Sequence, residues 1–199
     1  MKKNAVEQYM LEDLVSFVQG INSARAEKQY GLVDIIYYDQ ASFEKDYNHE
    51  EDLGEEIPKA LFNEHSLNEG DVIISNSFQQ AAMIGKANAG KVPSINFTKV
   101  EFNKETIDKQ YFIYLFNNYS LVKRQKERGV QGDTIPKIPL SSLKRLVVPV
   151  IPMTEQIKIG QIYTDTIKLQ TKLNKYAKLI EQLTNNILEK TIEGEINHE

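Results

Sequence analysis

The feature that most constrains the fold is a C-terminal stretch without proline in which apolar residues recur with a seven-residue period. It runs from Thr154 to Lys190 and contains one glycine, at position 160. With Ile159 as heptad position a, eight of the ten a and d sites are apolar. The pattern predicts a coiled-coil helix over about 154–190, roughly 55 Å long at ~1.5 Å per residue. The residues predicted to form its pairing seam are Ile159, Ile162, Leu169, Leu173, Tyr176, Ile180, Leu183 and Ile187.

A helix of this length cannot bury its whole apolar stripe on the ~150 residues that precede it, so we expect a partner. The flanking e and g positions include Tyr163, Ala177 and Leu179, with few charges of opposite sign. This broad apolar face favours contact with more than one neighbour, either a second copy plus the domain body or a second copy plus another subunit. The alternative is a helix that folds back on its own domain.

The preceding residues predict an α+β domain with much β-structure. A turn at 68–71 leads into a strand at 72–74, a second strand follows Pro93, and an amphipathic helix spans 108–121. A helical spacing starts at Leu11 and stops at Gly20, and residues 31–40 predict a strand. The acidic stretch 44–56 predicts a solvated loop. Dense prolines in 129–152 exclude helix and favour short extended pieces. We therefore divide the chain into a domain at 1–152 and a spacer helix region at 153–199.

The composition excludes several classes of protein. The chain has no cysteine, which excludes disulfides, thiolate catalysis and zinc–thiolate sites and fits a reducing compartment. No run of eighteen apolar residues is present, and the N-terminus does not resemble a signal peptide, so we expect a cytoplasmic protein with no membrane partner. The net charge is −4, yet residues 86–145 carry 12 Lys/Arg against 5 Asp/Glu. A local basic surface of this kind is compatible with DNA binding.

Catalytic motifs are absent from the sequence. GKANAGKV at 85–92 satisfies the spacing of a phosphate-binding loop, but Val92 stands where a Ser or Thr should hold Mg²⁺ and Pro93 prevents a helix there. The three histidines are scattered without metal-ligand spacing, so we expect no metal site. No motif for binding S-adenosylmethionine is present. We therefore expect a protein that is not an enzyme.

Two polar segments hold the residue types that read bases and contact phosphates: Asn and Gln for adenine, Arg and Lys for guanine and phosphate. Both are predicted to be loops, one just after the strand at 72–74 and one running into a glycine-containing turn. A weaker third segment follows Gly20. The candidate DNA-binding residues are Asn76, Ser77, Gln79, Gln80, Lys86, Lys91, Lys123, Arg124, Gln125, Lys126, Arg128, Gln131, Lys137, Asn22 and Arg25.

The segment 124–163 combines a glycine-containing turn, a proline-flanked apolar stretch and a helix that begins at a Glu-Gln pair. These pieces are Gly132-Asp133-Thr134, residues 143–148, Pro149, Pro152 and Glu155-Gln156. In this order they resemble the end of a target-recognition domain of type I restriction–modification specificity subunits. Residues 11–25, 67–75, 84–86 and 95–100 also resemble the N-terminal half of that family. The sequence departs from the family pattern at VIPMTEQ and at 76–80, and it holds one recognition domain and one helix where full subunits hold two of each.

The resemblance implies a function and a set of partners. The chain would recognise double-stranded DNA and would pair with a second copy, or with another specificity protein, to read a bipartite site. Adenine methylation and ATP-driven cleavage would belong to methyltransferase and restriction subunits, which would bind S-adenosylmethionine, ATP and Mg²⁺. Two alternatives remain: a coiled-coil adaptor or decoy that binds methyltransferase subunits without reading DNA, and a self-contained enzyme.

Overall fold

The most apolar strand of the sequence, β4 (Val72–Ser75), lies inside the fold with all four residues buried. Three consecutive β-branched residues favour a strand that is covered on both faces. The turn before it contains Gly70 with a φ of 78°, a left-handed conformation that favours glycine. The predicted turn and strand are thus both confirmed.

A computed structural model describes residues 6–22, 35–50, 65–102, 106–129 and 138–196. The strands in these ranges are β1 (Glu7–Met10), β2 (Val15–Gln19), β3 (Tyr37–Tyr38), β4 (Val72–Ser75), β5 (Gln80–Met83), β6 (Val92–Pro93), β7 (Phe97–Phe102) and β8 (Val147–Val150). The helices are α1 (Leu11–Leu14), α2 (Gln40–Tyr47), α3 (Lys109–Asn118), α4 (Ser120–Gly129), α5 (Leu140–Lys144) and α6 (Met153–Ile196), with a 3₁₀ turn at Lys86–Asn88. The predicted class, a mixed domain followed by a long C-terminal helix, is confirmed.

A four-stranded antiparallel sheet in the order β2-β7-β4-β5 forms the centre of the domain. β1 pairs with β8, and β3 pairs in parallel with β6. Alternate residues of β4 enter two cores, because successive side chains of a strand point to opposite faces. Val72 and Ile74 pack with the larger core, which includes α3 and α4, whereas Ile73 packs with Tyr38 and Phe43 on the other face.

Helix α3 confirms the amphipathic helix predicted at 108–121. Asp108 accepts a hydrogen bond from the backbone N–H of Tyr111 at 2.9 Å and so caps its N-terminus. Near the C-terminus of α3, the side-chain amide of the buried Asn117 makes two hydrogen bonds to the backbone of β5, the outer strand of the sheet. The N–H of Ala81 donates to Asn117 Oδ1 at 2.7 Å, and Asn117 Nδ2 donates to the Ala81 carbonyl at 2.8 Å.

Four local predictions are wrong in whole or in part. The helical spacing that begins at Leu11 continues only to Leu14, and the chain then becomes β2. The acidic stretch predicted as a loop begins inside α2, although residues 51–64 lie outside the described part of the chain. The proline-rich region contains the short helix α5, whose N-cap is Pro139. Of the strand predicted at 31–40, the described residues show only β3, and 31–34 lie outside them.

Gln156 fixes the start of α6 to the domain. Its side chain is 1% exposed, and its amide makes three hydrogen bonds to backbone groups. The N–H of Asp108 donates to Gln156 Oε1 at 2.9 Å, while Nε2 donates to the carbonyls of Ile151 at 2.7 Å and Thr106 at 3.1 Å. One side chain therefore joins the beginnings of α3 and α6.

Candidate nucleic-acid interface and pairing helix

Three segments that are distant in sequence meet at one end of the central sheet. Because the strands are antiparallel, β2 and β4 end where β5 and β7 begin. This brings together the residues after β2 (20–22), the β4–β5 turn (76–79) and the turn before β7 (94–96). We refer to these three segments as the loop edge.

The loop edge is held in shape by hydrogen bonds between its segments. The Asn76 backbone N–H donates to the Asn96 carbonyl at 2.9 Å, and the Thr98 hydroxyl donates to Asn76 Oδ1 at 3.0 Å. The Ile21 N–H donates to the Pro93 carbonyl at 2.8 Å. A Cβ on Gly20 would collide with the carbonyl oxygens of Pro93 and Ser94, so glycine is required for this close approach.

The tip of the β4–β5 turn presents both polar and apolar groups. Ser77, Gln79 and Gln80 are half-buried, and Phe78 is 50% exposed. Gln79 has a φ of 56°, which is uncommon for a residue other than glycine. The loop edge thus carries hydroxyl and amide groups of the kind that hydrogen-bond to base edges.

The segment containing Lys123 to Arg128 is a helix, not the predicted loop. It forms α4, and Lys126 points into the domain with 5% of its surface exposed. Lys126 Nζ donates to the carbonyls of Gln79 and Phe116, each at 2.6 Å, and lies 4.2 Å from the centre of the Phe116 ring. Lys126, predicted to contact DNA, is not available for such a contact, because its ammonium group is bound inside the fold and fixes the β4–β5 turn.

Burial, together with the positive charge of Lys123, lowers the pKa of Lys126 to about 8. Between pH 8 and about 10.4 the folded protein then binds fewer protons than the unfolded chain, so its stability rises with pH. We expect the wild type to gain on the order of 1–3 kcal/mol in free energy of unfolding relative to Lys126→Met between pH 7.5 and pH 10. Urea unfolding of both proteins at the two pH values measures this difference.

Lys123→Met is the matched control for this measurement, because Lys123 lies on the exposed side of the same helix. This variant should retain most of the pH dependence of the wild type. Parallel stability curves for the wild type and Lys126→Met would contradict the lowered pKa of Lys126.

Other candidate residues are also used inside the fold. Gln125 pairs with the backbone of Val147: its Nε2 donates to the carbonyl at 2.9 Å and its Oε1 accepts from the N–H at 2.8 Å. Asn76 is 8% exposed, and its Nδ2 donates to the Ile95 carbonyl. Lys91 Nζ donates to the Ser42 hydroxyl at 2.8 Å. In this conformation these three side chains position neighbouring elements, which leaves them poorly placed to read a base.

The structure separates other candidates from the loop edge. Lys86 is exposed but lies beyond the opposite end of β5 from Gln79. Arg124 and Arg128 are exposed and line a cleft between α4 and the β1–β8 pair. Lys123 is exposed beside Asn118, and Asn22 is half-buried at the loop edge. Arg25, Gln131 and Lys137 lie outside the described residues. DNA contact by the accessible candidates stays a prediction.

Phe78, Ile95 and Asn96 were not among the predicted site residues, although they belong to the loop edge. Ile95 is 43% exposed and Asn96 is also exposed. A signal for the second turn was present in the sequence, since Pro-Ser-Ile-Asn before a strand is typical of a turn. The position of this second turn beside the β4–β5 turn, however, depends on the pairing of β4 with β7.

The rejected phosphate-binding motif at 85–92 has no helix at its end. Residues 86–88 form a 3₁₀ turn, Gly90 has a φ of 89°, and Val92 begins β6. No α-helix begins in this segment, so it offers no helix N-terminus that could face a phosphate group. Within the described ranges no three His, Asp or Glu side chains are grouped in a way that could hold a metal ion.

The first half of α6 packs on the domain. Gly160 lies against α3, where an added Cβ would collide with Gln110 and the backbone of Tyr111. The Tyr163 ring contacts the edge of Tyr114 with centroids 5.6 Å apart, and the Thr171 hydroxyl donates to the Asn48 carbonyl at 2.8 Å. Ile159, predicted as a seam residue, is partly buried against the larger core. The alternative in which the helix folds back on its domain therefore holds for this half.

The remaining predicted seam residues are exposed. They form an apolar stripe along α6, which consists of Ile162, Leu169, Leu173, Tyr176, Ile180, Leu183 and Ile187. At about 100° per residue, this stripe lies on the side of the helix opposite to Gln156, Gly160 and Thr164, which face the domain. The helix is thus anchored by one face, and its other face is open along more than half of its length.

Charge is divided unequally along residues 166–193 of α6, which we call the projecting part of the helix. Residues 166–180 contain four lysines and no acidic residue, whereas residues 181–193 contain three glutamates and one lysine. All of these charged side chains are exposed. The two halves of the projecting helix therefore carry opposite net charge.

Among the helices of the described residues, none is both long and apolar enough to cross a bilayer. No curated protein sequence matches the chain.

Three solved structures share the fold at low sequence identity. One comes from work on complex assembly and conformational transition of the type I R-M system, with a TM-score of 0.60 and 14% identity over 96% of this chain and 45% of that chain. The HsdS subunit from Thermoanaerobacter tengcongensis has a TM-score of 0.54 and 14% identity over 89% and 41%. The type I S subunit from M. genitalium has a TM-score of 0.53 and 15% identity over 91% and 44%.

This chain spans less than half the length of each of those chains. A family model described as the type I restriction modification DNA specificity domain matches residues 19–185, which cover the loop edge, α4 and most of α6. The chain therefore belongs to the family of type I restriction–modification DNA specificity domains.

Proposed function

We propose that the protein is a DNA-sequence-recognition subunit of a type I restriction–modification complex, which pairs through α6 and directs partner subunits to a bipartite site. The observation that carries this proposal is the division of α6. One face is anchored on the recognition domain at Gly160 and Gln156, while the opposite face presents the apolar stripe. A stripe of this length outside a core indicates a helical partner.

A second copy of this chain fits the stripe in antiparallel orientation. Antiparallel pairing centred near residue 180 would place the lysine-rich half (166–180) of one helix beside the glutamate-rich half (181–193) of the other. Parallel pairing would place like charges side by side. Complementary charges favour one orientation over the other in helix pairs.

Antiparallel pairing would hold two recognition domains at opposite ends of the helix pair. From Thr171, whose hydroxyl donates to the domain at the Asn48 carbonyl, the helix continues for roughly 30 Å to Glu193 at ~1.5 Å per residue. The two loop edges would then read two half-sites separated by bases that are not read. An identical pair would read a symmetric site, and pairing with a different specificity protein would read an asymmetric one.

In this proposal the chemistry belongs to other subunits. Methyltransferase subunits would bind S-adenosylmethionine and methylate adenine, and restriction subunits would bind ATP and Mg²⁺ and cleave. The role of this chain is to select the DNA site and to hold the two halves at a fixed distance, in the cytoplasm.

Co-expression with candidate methyltransferase subunits, followed by genome-wide mapping of methylated adenines, tests the proposal. We expect a bipartite motif whose halves are inverted repeats. Methylation without any shared motif, or no methylation with every methyltransferase subunit that binds the chain, would contradict it. The second result would indicate an adaptor or decoy.

DNA binding by the reconstituted complex separates recognition from simple charge attraction. Affinity should fall steeply as salt rises for every duplex, because phosphate contacts release counterions. Duplexes carrying the mapped motif should nevertheless remain the tightest binders. Methylation or cleavage by the purified chain alone would contradict the assignment of chemistry to partner subunits.

A further inference from the structure

Phe78 places an apolar ring at the tip of the loop edge, where half of the residue is exposed to solvent. Phe78 is 50% exposed in a turn whose other members are polar. Its ring meets the buried Phe43 at one side, with centroids 6.4 Å apart and planes at 62°. Half of the residue's surface remains exposed beyond this contact, so the ring is available for a partner.

The turn holds Phe78 in a fixed position. The Phe78 N–H donates to the Ser75 hydroxyl at 3.4 Å, and the Gln79 N–H donates to the Ser75 carbonyl at 2.8 Å. On the other side, the buried Lys126 holds the Gln79 carbonyl at 2.6 Å. Gln79 keeps a left-handed φ of 56°, which costs free energy and is found where a surrounding structure imposes it. The position of the ring is thus imposed before any partner binds.

The groups beside the ring indicate what it would contact. Ser77, Gln79 and Gln80 offer hydroxyl and amide groups that suit adenine and other base edges in the major groove. In that groove the C5-methyl of thymine is the apolar feature of the base edges, and Phe is among the side chains that contact it. An apolar ring next to adenine-reading amides matches the face of an A·T pair.

We propose that Phe78 is a specificity-determining residue that contacts the C5-methyl group of a thymine in the half-site read by this domain. This inference rests on the proposed DNA-recognition function, and it adds the base and the atom that one named side chain reads. It requires that the half-site contain a thymine within reach of the β4–β5 turn.

Replacing thymine by uracil in the DNA removes only the methyl group and leaves every hydrogen-bonding atom in place. The experiment uses the complex of the full chain with its methyltransferase subunit and duplexes carrying the mapped motif, with each thymine replaced in turn. For the wild type we expect a loss of affinity of about threefold to tenfold at one thymine, the effect of one or two apolar groups leaving a contact. Other thymines should have little effect.

The protein variant Phe78→Ala completes the cycle. This variant should bind the thymine duplex more weakly than the wild type does. It should also bind the uracil duplex and the thymine duplex with the same affinity, because the methyl group has lost its contact. Ile95→Ala is the matched control, since Ile95 is a similarly exposed apolar residue of the loop edge. This control should remain sensitive to the same uracil.

Several results would overturn the inference. A mapped half-site without thymine, or a wild-type complex that binds every uracil duplex as tightly as the thymine duplex, excludes a methyl contact without requiring any variant. Increased fluorescence of 2-aminopurine beside the site, dependent on Phe78, would show that the ring separates stacked bases instead. A wild-type complex that binds all DNA sequences equally would contradict both the proposed function and this inference. A complex that prefers the motif but does not depend on the methyl group of any thymine would contradict the inference alone.

Discussion

Replacing Ile180 and Leu183 together by lysine is expected to convert paired protein into monomers while each recognition domain stays folded. Both side chains are at least 60% exposed in the single chain, so its own fold does not depend on them. In the proposed pair each would be buried, at about 1.5–3 kcal/mol per side chain, and lysine would add a charge to the contact. Four side chains change per pair, so the dissociation constant should rise by about a thousandfold or more. Sedimentation over a range of concentrations measures this change.

The double variant Gln182→Lys and Asn185→Lys adds the same two charges to the projecting helix. These residues are exposed and lie on the side of α6 opposite to the apolar stripe, so this control should still pair. In cells, the stripe variant should lose methylation at the bipartite motif, and the control should retain it. Equal self-association of the two variants would show that pairing does not use the stripe.

Gln156→Ala is expected to lower the free energy of unfolding by about 2–4 kcal/mol, the largest effect that we predict for a single polar side chain here. The truncation removes three hydrogen bonds and leaves the Asp108 N–H and the carbonyls of Thr106 and Ile151 without their partner. Each backbone group left unsatisfied in a poorly solvated place costs about 1–3 kcal/mol, partly offset where water can enter. Chemical denaturation of both proteins at one pH gives the difference.

Glu155→Ala provides the comparison from the neighbouring position. Glu155 makes an exposed ion pair with Lys158 at 2.9 Å, and pairs of this kind contribute about 0–1 kcal/mol. The two members of the Glu-Gln pair thus have different roles, because Gln156 joins two helices and Glu155 faces solvent. A smaller loss for Gln156→Ala than for Glu155→Ala would contradict this.

The elements that could be predicted from the sequence are those whose pattern is strong and local. The heptad period predicted α6, and the run of β-branched residues after Asp71 predicted β4. The apolar face of α3 was likewise recognised, because Phe112, Leu115 and Phe116 share a face at helical spacing. In each case burial follows directly from a period that neighbouring residues display.

Prediction failed where tertiary packing overrides local preference. Leu11, Leu14 and Val15 have helical spacing, yet Val15 begins a strand because β7 offers a partner for five residues. The polar run around Lys126 has the composition of a loop and forms a helix because Val122 is buried in the larger core and Lys126 is buried against the β4–β5 turn and Phe116. A lysine with its ammonium group on two carbonyls cannot be distinguished from a surface lysine by its neighbours in sequence.

The candidate site was predictable only in part for the same reason. The segment 76–80 was recognised by its residue types. Residues 76–79 form the turn at the end of the sheet, with Phe78 exposed, whereas Gln80 begins β5. The contribution of 94–96 depends on antiparallel pairing of β7 with β4, which no local pattern reveals. Conversely, Lys86 is close to Gln80 in sequence and distant from it in the fold, because the whole of β5 lies between them.

The two hydrogen bonds between the Asn117 side chain and the Ala81 backbone protect an edge of the sheet from pairing with other molecules. The outer edge of β5 would otherwise offer a free N–H and carbonyl, the groups through which sheets of separate molecules join and aggregate. The side-chain amide of Asn117 occupies both of these groups. At Ala81 this edge is closed to a further strand, so growth of the sheet from one molecule to the next is blocked at that position. In the proposed pair, association would instead use α6, whose pairing closes after two chains.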